Sequence, residues 1–127
     1  MEKIIREATR KTPSVLMDAT TGIIKFKGRS IPENSVEFYT DLIAWIDGYG
    51  KKPCATTIVN IQLEYFNTSS SKCLLDIFKK LELISKMGNV VDVNWYYEEH
   101  GDDIHESGED YQTMVNLQTL NFKLIEM

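Results

Sequence analysis

The sequence is poor in the residues that staple small folds or hold metals. Its 127 residues include only two cysteines, Cys54 and Cys73, and two histidines, His100 and His105. The thiols form no CxxC pair, so they read as small buried apolar residues of a reducing compartment, not as a disulfide or zinc framework. The glycines form neither a Walker loop nor GxGxxG, so the common nucleotide-cradling motifs are absent. There is no Pro-rich linker, internal repeat or low-complexity tract, and a single domain over 1–127 is expected. No apolar run approaches the roughly 20 residues of a membrane span. The N-terminus, MEKIIREATRK, is charged where a secretory signal would be apolar, which predicts a cytoplasmic protein without membrane insertion. Basic charge is short as well. With 14 Lys and Arg against 19 Asp and Glu, the net charge is −5, the opposite of a nucleic-acid-binding face.

What remains is ordinary core material. Some 43% of the residues are hydrophobic, and a chain this long buries roughly two-thirds of its unfolded surface without disulfide or metal. The acidity is local. Residues 98–110, EEHGDDIHESGED, carry seven acids and no Lys or Arg, leaving 14 basic against 12 acidic side chains, or +2, elsewhere.

Hydrophobic period predicts strands at 14–18 and 22–28, a helix at 32–50, a strand at 56–66, a helix at 69–87 and a strand at 89–99. A helix at 103–115 and a strand at 119–127 follow. In the third strand Thr57, Val59, Ile61, Leu63 and Tyr65 share the inward face. In the fifth segment Leu74, Ile77, Phe78, Leu81 and Ile84 form the buried stripe. Strand–helix–strand alternation implies mostly parallel pairing through right-handed crossovers. Strands covered on both faces are continuously apolar, whereas these are apolar on one side only. The expected fold is therefore a two-layer α/β domain, a mixed but mostly parallel sheet with helices on one face.

One junction stands out. In EYFNTSSSKCLLDIF, residues 64–78, four hydroxyls (Thr68, Ser69, Ser70 and Ser71) separate a strand from an apolar helix. Such residues cap helices by accepting from the free N–H groups of the first turn. Four exceed that need, and no Glu or Gln three residues on completes a capping box. The helix also turns Leu83 outward among Lys72, Asp76 and Lys79, with Leu75 and Met87 on its flanks, which suits a docking surface. A phosphoryl group at a helix N-terminus is tolerated by the fold, yet adds about −1.5 to −2 charges beside that surface. Phosphorylation there would switch binding while the domain stayed folded.

These residues resemble the SiaC-type regulatory phosphoproteins, bacterial partner-switching proteins similar in fold to STAS-domain anti-sigma-factor antagonists. The resemblance rests on Thr12-Pro13, GRSIPEN (28–34), LEYFNTSSSK (63–72) running into LLDIF (74–78), and VDVNWYY (91–97). The chain departs from the pattern at Ser71 and from Gln112 onward. The resemblance implies that Thr68 is the phosphoacceptor, with Asn67, Ser69, Ser70 and Lys72 shaping its turn, and the departures leave Ser69, Ser70 and Ser71 open as secondary acceptors. It implies a cognate kinase, a PP2C-like phosphatase and a target enzyme, a diguanylate cyclase of cyclic-di-GMP and biofilm signalling, bound by the bare form. It implies no catalysis and no cofactor in this chain. The expected partner contacts are Leu75, Lys79, Leu83 and, on the polar sheet face, Tyr96.

Two other readings stay open. A constitutive adaptor of the same fold would never be phosphorylated. A small metal-dependent enzyme would use Glu98, Glu99, His100, Asp102, Asp103, His105 and Glu106, although their spacing matches neither an EF-hand nor HExxH, and the expected metal is none. GRSIP is not GxSxG, and its Ser30 has no His partner in the sequence.

Overall fold

The computed structural model describes every residue except Gly101 and residues 117–119, and the side chain of Asp102 is also outside the description. Six strands and three helices follow in order: β1 (Ile4–Arg6), β2 (Ser14–Asp18), β3 (Ile23–Ser30), α1 (Ser35–Tyr49), β4 (Thr56–Phe66), α2 (Thr68–Lys86), β5 (Val90–Tyr97), α3 (Asp102–Met114) and β6 (Asn121–Glu126). The strands lie in the sheet in that same order. β1, β2 and β3 pair antiparallel, whereas β3, β4, β5 and β6 pair parallel. Each parallel crossover contains a helix and steps one strand in the same direction. With the usual right-handed connection, all three helices fall on one face.

Burial follows that geometry. Val59, Ile61, Val91, Val93 and Trp95 are buried under the helices. On the opposite face a transverse row of Lys25, Asn60, Asn94 and Lys123 stays partly or fully exposed. The mixed sheet with helices on one face is the expected fold. β1 has no counterpart in the expected order, because three residues flanked by charges carry too little periodicity to register.

The expected inward placement of Tyr65 fails, and the cause is a β-bulge. Gly28 pairs with Leu63 but Arg29 pairs with Tyr65, so Glu64 is an extra residue on β4. Gly28, at φ 124°, accommodates the irregularity on the β3 side. Beyond the bulge the alternation inverts. Tyr65 is 55% exposed, while Phe66 turns in and packs edge-on to Trp95, their centroids 5.9 Å apart. Trp95 is fully buried, and its indole N–H donates to Ile104 O at 2.8 Å.

The helix ends are set by Asn. Asn34 Oδ1 accepts from Glu37 N at 3.1 Å and caps α1. Pro32, expected inside the first turn, therefore lies ahead of the cap and outside the helix. At the far end of α2, Gly88 adopts φ 97° just after the C-cap Met87, the left-handed exit that glycine permits.

Candidate functional site

α1 and α2 follow adjacent parallel strands, so both helices begin at the same edge of the sheet. The bulge fixes how α2 begins. It pairs Ser30 with Phe66, and the next amide, Asn67 N, donates to Ser30 O at 3.0 Å. Asn67 Oδ1 then accepts from Ser70 N at 2.9 Å and caps α2.

Around this cap the hydroxyls divide. Ser70 is completely buried. Its Oγ donates to Ser30 O at 3.0 Å, accepts from Ser30 Oγ at 2.9 Å and lies 3.1 Å from Ser35 Oγ. Tyr39 OH closes the network 2.6 Å from Ser30 Oγ. Burial pushes the Tyr39 phenol up to about 12, with the Ser30 bond pulling the other way, so it stays a neutral hydrogen-bonding group. Ser69 is exposed but bonded, 2.7 Å from Ser35 Oγ and donating to Asn67 Oδ1 at 3.2 Å. Ser71 Oγ donates to Thr68 O at 2.6 Å. Thr68, the first residue of α2, is exposed, and its hydroxyl has no hydrogen-bond partner among the described residues. Three of the four hydroxyls are thus bonded into the junction, and Thr68 is left open. A kinase could reach Ser70 only by opening the first turn of the helix.

Ser30, Ser35 and Tyr39 are the members that sequence reasoning missed. Two signals were available. Ser30 continues the inward alternation of Ile24 and Phe26, and Asn34-Ser35 repeats the Asn-hydroxyl step of Asn67-Thr68.

Thr68 sits on the rim of a cleft of about 420 Å³ between α2 and α3, lined by Phe66, Lys72, Leu75, Asp110 and Tyr111 among others. Tyr111 OH donates to Ser71 O at 2.8 Å across this cleft, and burial raises its phenol pKa. At 100° per residue, Thr68, Lys72, Leu75, Lys79 and Leu83 fall within an arc of about 80° on α2. Leu83 is 56% exposed and lines a smaller groove of about 160 Å³ between α1 and α2, with Ile46, Lys80 and Met87.

The other two expected contacts, Lys79 and Tyr96, have surroundings of their own. Lys79 is not simply presented to solvent. Its Nζ donates to Met114 O at 2.5 Å and lies 3.7 Å from Glu82 Oε1. Glu82 in turn accepts from Asn116 N at 2.7 Å. The pair clamps the C-terminal end of α3 onto α2, because a cation satisfies a terminal carbonyl and a carboxylate satisfies the following amide. Tyr96 lies on the other face of the sheet from α2, since it alternates with the buried Trp95. It cannot share a surface with Leu75, Lys79 and Leu83.

Among the described residues, no group of three or more His, Cys, Asp or Glu side chains is placed to hold a metal ion. The acidic stretch becomes α3, in which His105 stacks on Tyr97 at 4.3 Å between centroids and lies 3.7 Å from Glu109 Oε1. Asp102, one of the metal-site residues considered, has its side chain outside the described residues. Cys73 is buried and Cys54 half-buried, both free. Burial, then the nearby Asp76 charge, raises the Cys73 thiol pKa and keeps it unreactive. Among the described residues no helix is long and apolar enough to cross a membrane.

Comparison with known proteins gives a consistent answer. The model of the SiaC family regulatory phosphoproteins matches residues 6–127. An uncharacterised protein of Pseudomonas aeruginosa strain UCBPP-PA14 is 31% identical over 107 residues, which are 82% of this chain and 82% of that one. The solved structure of SiaC of Pseudomonas aeruginosa superposes with a TM-score of 0.85 at 26% identity, covering 98% of this chain and 100% of that one. A chain of the crystal structure of the Pseudomonas aeruginosa diguanylate cyclase SiaD in complex with its activator SiaC gives a TM-score of 0.89 at 26% identity. It covers 98% of this chain and 99% of that one.

Proposed function

Because this chain belongs to the SiaC family of regulatory phosphoproteins, we propose that it is a non-enzymatic partner switch controlled by one phosphate on Thr68. The bare form docks through the outer face of α2, with Leu75 and Leu83 as apolar contacts and the exposed stem of Lys79 between them. Tyr96 lies outside that face. The target is a diguanylate cyclase, the class of enzyme that SiaC activates in the SiaD complex. A dedicated kinase adds the phosphate and a PP2C-like phosphatase removes it. Asn67 shapes the acceptor turn, and Lys72, four residues on along the same face, is within reach of the phosphate.

The observation that carries this reading is the division of the hydroxyls, with Thr68 alone exposed and unbonded at the start of a capped helix. The energetics favour a switch over a disruption. Negative charge at this helix end is favourable by roughly 0.3–1 kcal/mol, so the domain keeps its fold. The same charge buried against a partner costs several kcal/mol. At about 1.4 kcal/mol per tenfold, docking weakens by two or three orders of magnitude.

The test has two parts. Protein isolated from its native host with phosphatases inhibited is mapped for phosphate, and one phosphoryl group on Thr68 is expected. Thr68→Ala and Thr68→Asp are then compared for binding to the host cyclase, with Thr68→Asp weaker. Equal binding by the two variants, with no phosphate on Thr68, would favour a constitutive adaptor.

A further inference from the structure

Thr68 and Ser69 are adjacent and both exposed on the first turn of α2, yet one hydroxyl is open and the other is bonded. The difference comes from another helix. Ser35, first residue of α1 and 2% exposed, places its Oγ 2.7 Å from Ser69 Oγ and 3.3 Å from Asn67 Oδ1. We propose that Ser35 is a positioning residue that confines phosphorylation to Thr68 by occupying Ser69. The inference rests on the phosphoswitch reading above.

The chemistry of transfer explains why occupancy matters. A kinase forms a bond between a hydroxyl oxygen and the γ-phosphorus of ATP and breaks the bridging P–O bond to release ADP. The hydroxyl proton passes to the kinase's base. Attack therefore needs a free lone pair and a transferable proton. Ser69 has its proton held by Asn67 Oδ1 and its oxygen fixed against the Ser35 hydroxyl, so it must leave both partners before it can turn toward a kinase. Thr68 breaks none. Ser35 is itself locked in place by Ser70 Oγ at 3.1 Å, within the same buried network as Ser30 and Tyr39.

The experiment incubates full-length wild type, Ser35→Ala, Ser35→Gly and Tyr39→Phe with magnesium-ATP and a lysate of the native host. Phosphoamino-acid analysis and fragment-ion mapping then apportion phosphate between Thr68 and Ser69. The wild type is expected to carry phosphothreonine alone. In Ser35→Ala and Ser35→Gly phosphate appears on Ser69, at about ten times the level detectable in the wild type or more, equivalent to about 1.4 kcal/mol, within the range of one lost hydrogen bond. Tyr39→Phe loosens the same network without touching Ser69, so it costs stability but leaves phosphate on Thr68. A purely structural role for Ser35 would instead make the serine and tyrosine variants behave alike. Phosphate on Ser69 in the wild type overturns the proposal without any variant, as does an unchanged distribution in a folded Ser35 variant. Absence of phosphate from every hydroxyl overturns the switch itself, a separate result.

Discussion

Replacing Ser70 and Thr68 by alanine, one at a time, should separate two roles that look alike in the sequence. Ser70 Oγ makes close hydrogen bonds to Ser30 O and Ser30 Oγ and a longer one to Ser35 Oγ. Ser70→Ala removes all three and leaves one hydroxyl proton of the buried Ser30–Tyr39 pair without an acceptor. Ser30 O still accepts from Asn67 N, and Ser35 Oγ keeps Ser69. The orphaned buried donor costs about 1–3 kcal/mol. With about 1 kcal/mol for the other strong bond lost, the total is about 2–4 kcal/mol. In a chain of this length that lowers Tm by roughly 8–15 °C. Thr68→Ala removes an exposed hydroxyl with no partner and should stay within about 0.5 kcal/mol of wild type. Urea unfolding followed by circular dichroism reads both, with a change in midpoint and no change in slope. Equal stability of the two variants, or a larger loss for Thr68→Ala, would refute the division of the cluster into structural and open hydroxyls.

Other consequences follow from the same structure. Thr68→Asp should leave the melting temperature unchanged or raise it by the equivalent of up to about 1 kcal/mol, since the charge meets the N-terminal end of α2; a clear fall in calorimetry would count against tolerance of phosphate there. Tyr39 holds its proton to about pH 12 in the fold but to about 10 in the unfolded chain. Stability from this group is complete below pH 10 and is lost as pH rises toward 12, by about 3 kcal/mol. Spectrophotometric titration should show this tyrosine ionising only with unfolding. Gly108→Ala would set a Cβ 2.5 Å from Trp95 Cδ1 and 2.6 Å from Leu124 Cδ2, displacing α3 from the sheet at a cost of about 1–3 kcal/mol. An unchanged thermal melt would show that the helix has slack there. Leu83→Glu should cut binding to the cyclase at least about tenfold without altering the melt, whereas Tyr96→Ala should leave binding unchanged. The reverse pattern in a titration would move the docking face to the open side of the sheet.

Much of the architecture could be read from periodicity because the sheet is covered on one side only. Strands such as β5 alternate cleanly between buried and open positions, and α2 separates its buried stripe from Leu83. Reading failed where geometry broke the period. The bulge at Glu64 reverses Tyr65 and Phe66, and nothing in the local pattern announces an extra residue set by a register shift between Gly28 and Arg29 on another strand. β1 is too short to show a period. The site was legible in outline, as a hydroxyl-rich helix start beside outward leucines. Its internal division was not, because Ser30, Ser35 and Tyr39 reach it from other elements, and only the fold decides which hydroxyl they leave open. Lys79 shows the same limit, since its helix position points outward while its ammonium group turns to the end of α3.

The most direct test of the central claim is a calorimetric titration of the host diguanylate cyclase with two preparations of one protein sample. One is phosphorylated on Thr68 and verified by intact mass, and the other is the same material after phosphatase treatment. The account predicts tight binding by the bare form and binding at least about a hundredfold weaker, equivalent to about 2.7 kcal/mol, by the phosphorylated form. Equal affinities, with the phosphate confirmed on Thr68 and the fold intact, would contradict it and leave a constitutive adaptor whose first helical turn is merely well capped.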